Sequence, residues 1–359
     1  MMEQNPPAIG APVGPVAARR RTMNQTVITW ASRNARILAP LTSLLAMVIF
    51  FSLVTDTFLG TRNLQNIVTQ VGPIAVAATG VTFVLLCAEI DLSIASVATF
   101  SGMISSMLLV GGTISLGFTS FSLSIGSWGI LVAIAVAALI GLLNGVFVSY
   151  VGIPSFMMTL AMLTIAHGLA VFVNKGESIY KVPNVLHDVA IVGNQVLGIP
   201  VIGLVALGTL IIGEFVLGYT RFGRYVYMTG GNRAAAELSG VDTRRVIMLC
   251  LMICGLTAGV AGLLAAGRIN QANPNANTDL LIGTIAAVVL GGTSLFGGEG
   301  GMKNTVLGVL IFGVLSNGLN LLPNISFHFK EALQGIILVG ALLLNVLALR
   351  LERVSSGAE

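Results

Sequence analysis

The sequence predicts an all-α polytopic membrane protein of about ten transmembrane helices, with an internal repeat and a short helix on a cytoplasmic loop. Three observations lead there. Apolar types make up 55% of the 359 residues and charged types only 9%, against about a quarter charged in a soluble domain. Apolar runs near the ~20 residues that cross a bilayer as a helix recur along the chain. Glycine is abundant, at 43 residues, without collagen's three-residue period, and small residues are what let helices approach closely in lipid.

Residues 1–35 form a polar tail, Pro- and Ala-rich and then basic (Arg19, Arg20, Arg21, Arg33). A cleaved signal peptide fits it badly, because the first apolar run starts late, at Ile37, and many more follow. The membrane domain covers 36–350, with spans expected at 37–54, 67–88, 92–110, 128–150, 154–174, 199–218, 246–267, 281–296, 304–322 and 332–349. A short tail, 351–359, closes the chain. From Leu92 to Asn174 there is no Asp, Glu, Lys or Arg, so that stretch holds three spans joined by tight turns. The run 281–296 is short for a crossing and is expected to be tilted, broken or re-entrant.

Ten crossings put both ends on one side. With the termini in the cytoplasm, thirteen Lys and Arg lie inside and five (Arg62, Lys175, Lys181, Arg268, Lys330) outside, which is the positive-inside bias. GPIAVAATGVT (72–82) aligns with GTIAAVVLGGT (283–293), and GLLNG (141–145) resembles GVLSNG (313–318), the mark of an internal duplication. Gly141–Gly145 and Gly255–Gly259 have G-x-x-x-G spacing, suited to helix packing within one subunit or between two.

Catalytic chemistry is nearly absent. No Lys follows a Gly, so there is no phosphate loop of the G-x-x-x-x-G-K type. His167, His187 and His328 lack metal-ligand spacing, and no metal site is expected. Cys87, Cys250 and Cys254 fall inside apolar runs, which argues against a disulfide framework. An enzyme is not expected, and neither is a nucleic-acid partner, since the arginines flank spans. Glu89 and Asp91, in CAEIDLS, sit between two spans. Asp91 could cap the next helix; alternatively both carboxylates line a pathway at a helix break.

The loop 219–246 is the informative one. Asn232 is a good N-cap for a helix of about two turns, Arg233 to Ser239, and Gly240 suits its end. So short a helix is unstable alone. It either docks into a groove of another protein or lies among lipid headgroups.

Segments 87–102 (CAEIDLSIASVATFSG), 220–246 (TRFGRYVYMTGGNRAAAELSGVDTRRV) and 288–311 (VVLGGTSLFGGEGGMKNTVLGVLI), with Gly-Ile-Pro-Ser-Phe at 152–156, resemble the ordered motifs of sugar-type ABC transporter permeases over residues 60–350. The resemblance implies a permease subunit of a bacterial ATP-driven importer in the inner membrane. A periplasmic binding protein would deliver a sugar or small polyol. A partner ATPase, usually double-cassette, would hold ATP and Mg, with no cofactor on this chain. A second permease copy or a sister chain would complete the pore, commonly as a homodimer. The match assigns ATPase coupling to Gly231, Asn232, Arg233, Ala234, Ala235, Ala236, Glu237, Leu238, Ser239 and Gly240. Glu89, Asp91, Ser93, Asn144, Ser316 and Asn317 are the candidates for the translocation pathway. Three departures stand out: Glu89 replaces the family's glycine before D-L-S, Ala95 stands where the family's glycine follows Ile or Val, and Asn304 replaces a glycine in the third motif. The other reading is a cation-coupled secondary sugar or polyol carrier.

Overall fold

In lipid, backbone groups must find partners within their own segment, which makes long apolar runs helical. The computed structural model describes residues 35–111, 113–115, 120–323, 326, 328–330, 332–337, 339–340 and 343. The basic tail 1–34, the C-terminal tail and most of the expected span 332–349 lie outside the described residues.

In chain order the elements are α1 (Ala35–Val54), α2 (Thr61–Leu86), α3 (Ile94–Val110), strands β1 (Thr113–Ser115) and β2 (Ser120–Ser122), α4 (Gly129–Val146) and α5 (Ser155–Val173). There follow α6 (Asn184–Ala190), strands β3 (Gln195–Val196) and β4 (Ile199–Pro200), α7 (Val201–Tyr219), α8 (Arg221–Gly231), α9 (Arg233–Leu238), α10 (Thr243–Ile269), α11 (Thr278–Leu290) and α12 (Met302–Leu321). The strands form two small antiparallel pairs. Among the described residues six helical stretches are long and apolar enough to cross a membrane: α2, 126–151, α5, α7, α10 and α12. Three shorter apolar helices, within α1, α3 and α11, accompany them.

The centre of the bundle is α10 packed antiparallel to α2, with α3 and α4 on its flanks. Their residues are small, which permits the fit. The two G-x-x-x-G pairs meet each other: a Cβ on Gly255 would lie 2.5 Å from the Ala137 carbonyl oxygen and 2.8 Å from the Gly141 Cα. Backbone-to-backbone contact of this kind is a main source of helix association in lipid. Here it lies within one chain. The outer layer is different. Helices α4, α5 and α7 leave Leu131, Leu139, Phe156, Leu160, Ile211 and Phe215 exposed. Charged residues are rare there, so these flanks suit lipid.

Pairwise packing gives the directions. Gly203 lies against Val68 and Gly213 against Thr79, so α7 runs parallel to α2. Helices α2, α4, α7 and α11 run toward one face, and α3, α5, α10 and α12 start from it. That face carries connections 87–93, 219–242 and 291–301.

Three expectations change in detail. The run 281–296 forms a helix only to Leu290, because the chain turns through Gly291 and Gly292, the latter at φ +102°. At 13 residues, α11 is about 20 Å long. It begins beside the interior of α3, where Thr99 Oγ1 donates to the Ala276 carbonyl at 2.8 Å and accepts from Asn277 at 3.3 Å. Helix α11 therefore crosses only part of the bundle. Helices α6 and α8 were not anticipated. Asp91 is not the cap of α3: Ser93 occupies that position, and Asp91 closes the turn before it.

Candidate functional site

The three motif segments, distant in sequence, converge on the face described above. The first is the connection 87–93. Helix α2 ends at Leu86, and Ala88 turns the chain at φ +61°. Asp91 Oδ1 accepts hydrogen bonds from Ser93 N (2.8 Å) and Ser93 Oγ (2.6 Å), and Asn144 Nδ2 of α4 donates to Ser93 Oγ at 3.1 Å. All three residues are buried, where polar groups need such partners. Ile90 is pinned to α5 on both sides: its N–H donates to Ser155 Oγ (3.1 Å), and its carbonyl accepts from Thr159 (3.3 Å).

The second segment is the arm α8–α9. Thr220 caps α8 by accepting from Gly223 N at 3.1 Å. Helix α9 has only six residues but is closed at both ends. Asn232 Oδ1 accepts from Ala235 N at 3.0 Å. At the other end Gly240 stands at φ +81°, with Gly240 N bonded to Glu237 O (2.9 Å) and Val241 N to Ala236 O (3.0 Å). That is a Schellman closure. Within 231–240 Ala236 alone is buried, while Leu238 at the tip is 92% exposed.

The third segment, 291–301, is shaped by glycines at positive φ, including Gly297, Gly298 and Gly300. It binds the other two directly. Gly298 N donates to the Leu86 carbonyl at 2.9 Å, and Tyr227 Oη of α8 donates to the Gly300 carbonyl at 3.0 Å. Between them sits Gly230. A Cβ there would overlap the Leu86 carbonyl oxygen and come within 2.8 Å of Gly298 N. Behind this seat, Thr82 of α2 and Thr305 of α12 share a hydrogen bond of 2.6 Å.

A polar cleft of about 540 Å³ opens beside the junction, lined by Glu89, residues 148–155, Arg233, Glu237 and Arg244. The π-helical turn Phe147–Val151 and Gly152 at φ +87° shape its wall. Arg233 lies 3.6 Å from Glu89 and 3.7 Å from Glu237. Burial pushes the Glu89 carboxyl above its usual range, opposed by the Ser155 hydroxyl and then by Arg233. Burial likewise raises the Tyr227 phenol, with Glu214 adding to the shift.

The sequence candidates thus fall into three places. Asp91, Ser93 and Asn144 form one bonded cluster. Glu89 turns away from it into the cleft, against Arg233. Ser316 and Asn317 lie along α12, where Asn317 accepts from Asn63 of α2 at 2.9 Å. Tyr227, expected with Tyr225 and Met228 as an apolar anchor beside the short helix, serves instead as a hydrogen-bond donor to Gly300, and Ser155, Gly230 and Gly298 each stand within a motif segment without a distinguishing local signal. Cys87, at the end of α2, and Cys250 of α10 are buried free thiols with Sγ atoms 3.4 Å apart.

The family described as "Branched-chain amino acid transport system / permease component" matches residues 63–342. The Ribose import permease protein RbsC of Escherichia coli (strain K12) is 32% identical over 309 residues, 85% of this chain and 92% of the relative. RbsC of Bacillus subtilis (strain 168) is 33% identical over 308 residues, 86% and 92% of the two chains. The D-allose transport system permease protein AlsC of Escherichia coli (strain K12) is 32% identical over 299 residues, 83% and 88%. No solved structure matches the chain.

Proposed function

The chain belongs to the family of branched-chain amino acid transport system permease components, and on that premise we propose that it is the membrane-spanning permease subunit of an ATP-driven monosaccharide importer. The curated relatives, named for ribose and allose, support a sugar or related polyol as cargo. The subunit is a transport protein and not an enzyme. Its multi-pass bundle sits in a bacterial inner membrane, with the tails 1–35 and 351–359 on the cytoplasmic side.

One observation carries this reading: a short helix, capped at both ends and almost wholly exposed, stands on a base where all three motif segments meet. A six-residue helix has no stability of its own, and its caps hold it ready for a partner. We assign Gly231 through Gly240 to docking with the ATPase, which binds ATP and Mg. A periplasmic binding protein delivers cargo to the opposite face, and a second permease, most simply a second copy, completes the pore. Nucleotide-driven closure of the ATPase pair moves α9 and rotates the bundles between outward- and inward-open states. Asp91, Ser93 and Asn144, with Ser316 and Asn317, are the polar groups assigned to the pathway, while Glu89 faces the cleft beside α9.

The test is uptake into proteoliposomes holding the permease, its ATPase and its delivery protein. Uptake should persist when the proton and sodium gradients are collapsed and ATP is kept. A purified permease that accumulates sugar without any ATPase would be a cation-coupled carrier instead. In the same assay Gly240→Pro should lower substrate-stimulated ATP hydrolysis while membrane insertion is unchanged.

A further inference from the structure

We propose that Glu89 is a positioning residue that ties the connection 87–93 to the exposed helix α9, so that movement of that helix is passed to the buried Asp91–Ser93–Asn144 cluster. The inference rests on the reading of α9 as the segment held by the ATPase.

Glu89 and Asp91 stand two residues apart on one short connection yet face different partners. Asp91 is committed to Ser93 inside the bundle. Glu89 Oε1 lies 3.6 Å from the guanidinium of Arg233, the first residue of α9. The same guanidinium is 3.7 Å from Glu237, one turn along α9, and Glu237 accepts a hydrogen bond of 2.6 Å from Thr243, the first residue of α10. One cation therefore joins α9 to the connection on one side and, through Glu237, to the central helix on the other. The linkage to the buried cluster is short, because Ile90 between the two carboxylates is held at both its backbone groups. A displaced α9 must either draw Glu89 with it or break the pair.

The geometry argues against a cargo contact. Glu89 points into the cleft shared with Arg233 and Arg244, beside the Ser155 hydroxyl, and away from the Asp91–Ser93–Asn144 cluster assigned to the pathway. The pair contributes modestly to folding: Glu89 is 15% exposed but its partner Arg233 is 47% exposed, and pairs with so much solvent access are worth about 1 kcal/mol. Variants should therefore fold, and their effect should appear in coupling.

The experiment measures sugar uptake and ATP hydrolysis together in proteoliposomes carrying the full transporter. Glu89→Gln should lower sugar moved per ATP about fivefold or more, the scale of a modest coupling free energy. Co-purification with the ATPase and discrimination among sugars should be unchanged. Arg233→Glu should show the same loss, and the charge swap E89R/R233E should recover most of it. Unchanged sugar per ATP in E89Q overturns the proposal. So does a loss that the swap leaves in place while sugar preference shifts, which would make Glu89 a cargo contact. Leu238→Glu tests the underlying reading separately. If it leaves ATPase binding and uptake intact, α9 is not the docking segment; if it disrupts both while E89Q is silent, only the tie fails.

Discussion

The connections 87–93 and 291–301 meet on one face beside the arm α8–α9 and are built from different material. The alignment that pairs Gly72 with Gly283 sets Glu89 opposite Gly300. In the first connection side chains do the joining: Asp91 closes the turn, Ser93 receives Asn144, and Glu89 reaches Arg233. In the second, backbone does it: Gly298 N binds the Leu86 carbonyl, and the Gly300 carbonyl receives Tyr227. The difference teaches a division of labour. The glycine connection forms a tight seat whose shape tolerates no added atoms. The acidic connection holds polar groups in a place lipid would not, and it carries charge to the arm that stands above it.

That contrast can be broken at its strongest point first. Gly230→Val would thrust carbon into the Leu86 carbonyl, and since no rotamer can relieve a clash with backbone, a loss of about 3 kcal/mol is expected. Yield of monodisperse protein in detergent should collapse. A well-folded G230V variant would show that the seat is loose. Next, Asp91→Ala removes the acceptor of two Ser93 bonds and should lower thermal stability by about 2 kcal/mol. Asp91→Asn keeps an acceptor oxygen and should lose much less. If the two variants fall equally in a melting assay, it is charge, and not the turn, that the first connection needs. The smallest effect belongs to Tyr227→Phe, which deletes one hydrogen bond to Gly300 and should cost about 1 kcal/mol. Its melting midpoint should fall slightly while the protein still assembles.

Much of the fold was legible, because hydropathy reports length and burial in lipid with little interference. Apolar runs near 199–218, 246–267 and 304–322 became α7, α10 and α12 within a few residues. Helix α9 was readable too, since Asn232 and Gly240 are local signals with local causes. Helix α8 was missed although Thr220 with Gly223 offers the same capping signal; its amphipathic pattern is masked by three glycines and two arginines in eleven residues. The early end of α11 was hidden because Gly291 and Gly292 sit inside an otherwise apolar run. The meeting of Gly230 with Leu86 and Gly298 could not be read at all, for it joins positions remote in sequence through backbone atoms that carry no residue-type signature. Glu89 illustrates the same limit: its residue type announced a carboxylate, and only packing tells that Arg233 faces it.

The Gly230 seat has a mechanical corollary. A joint made of main chain against main chain has almost no slack, whereas one made of long side chains can swing through several ångströms before it pulls. A displacement of α8 would pass undiminished to the end of α2 and to the connection 291–301 at once. Neither of those two segments can lag behind the other.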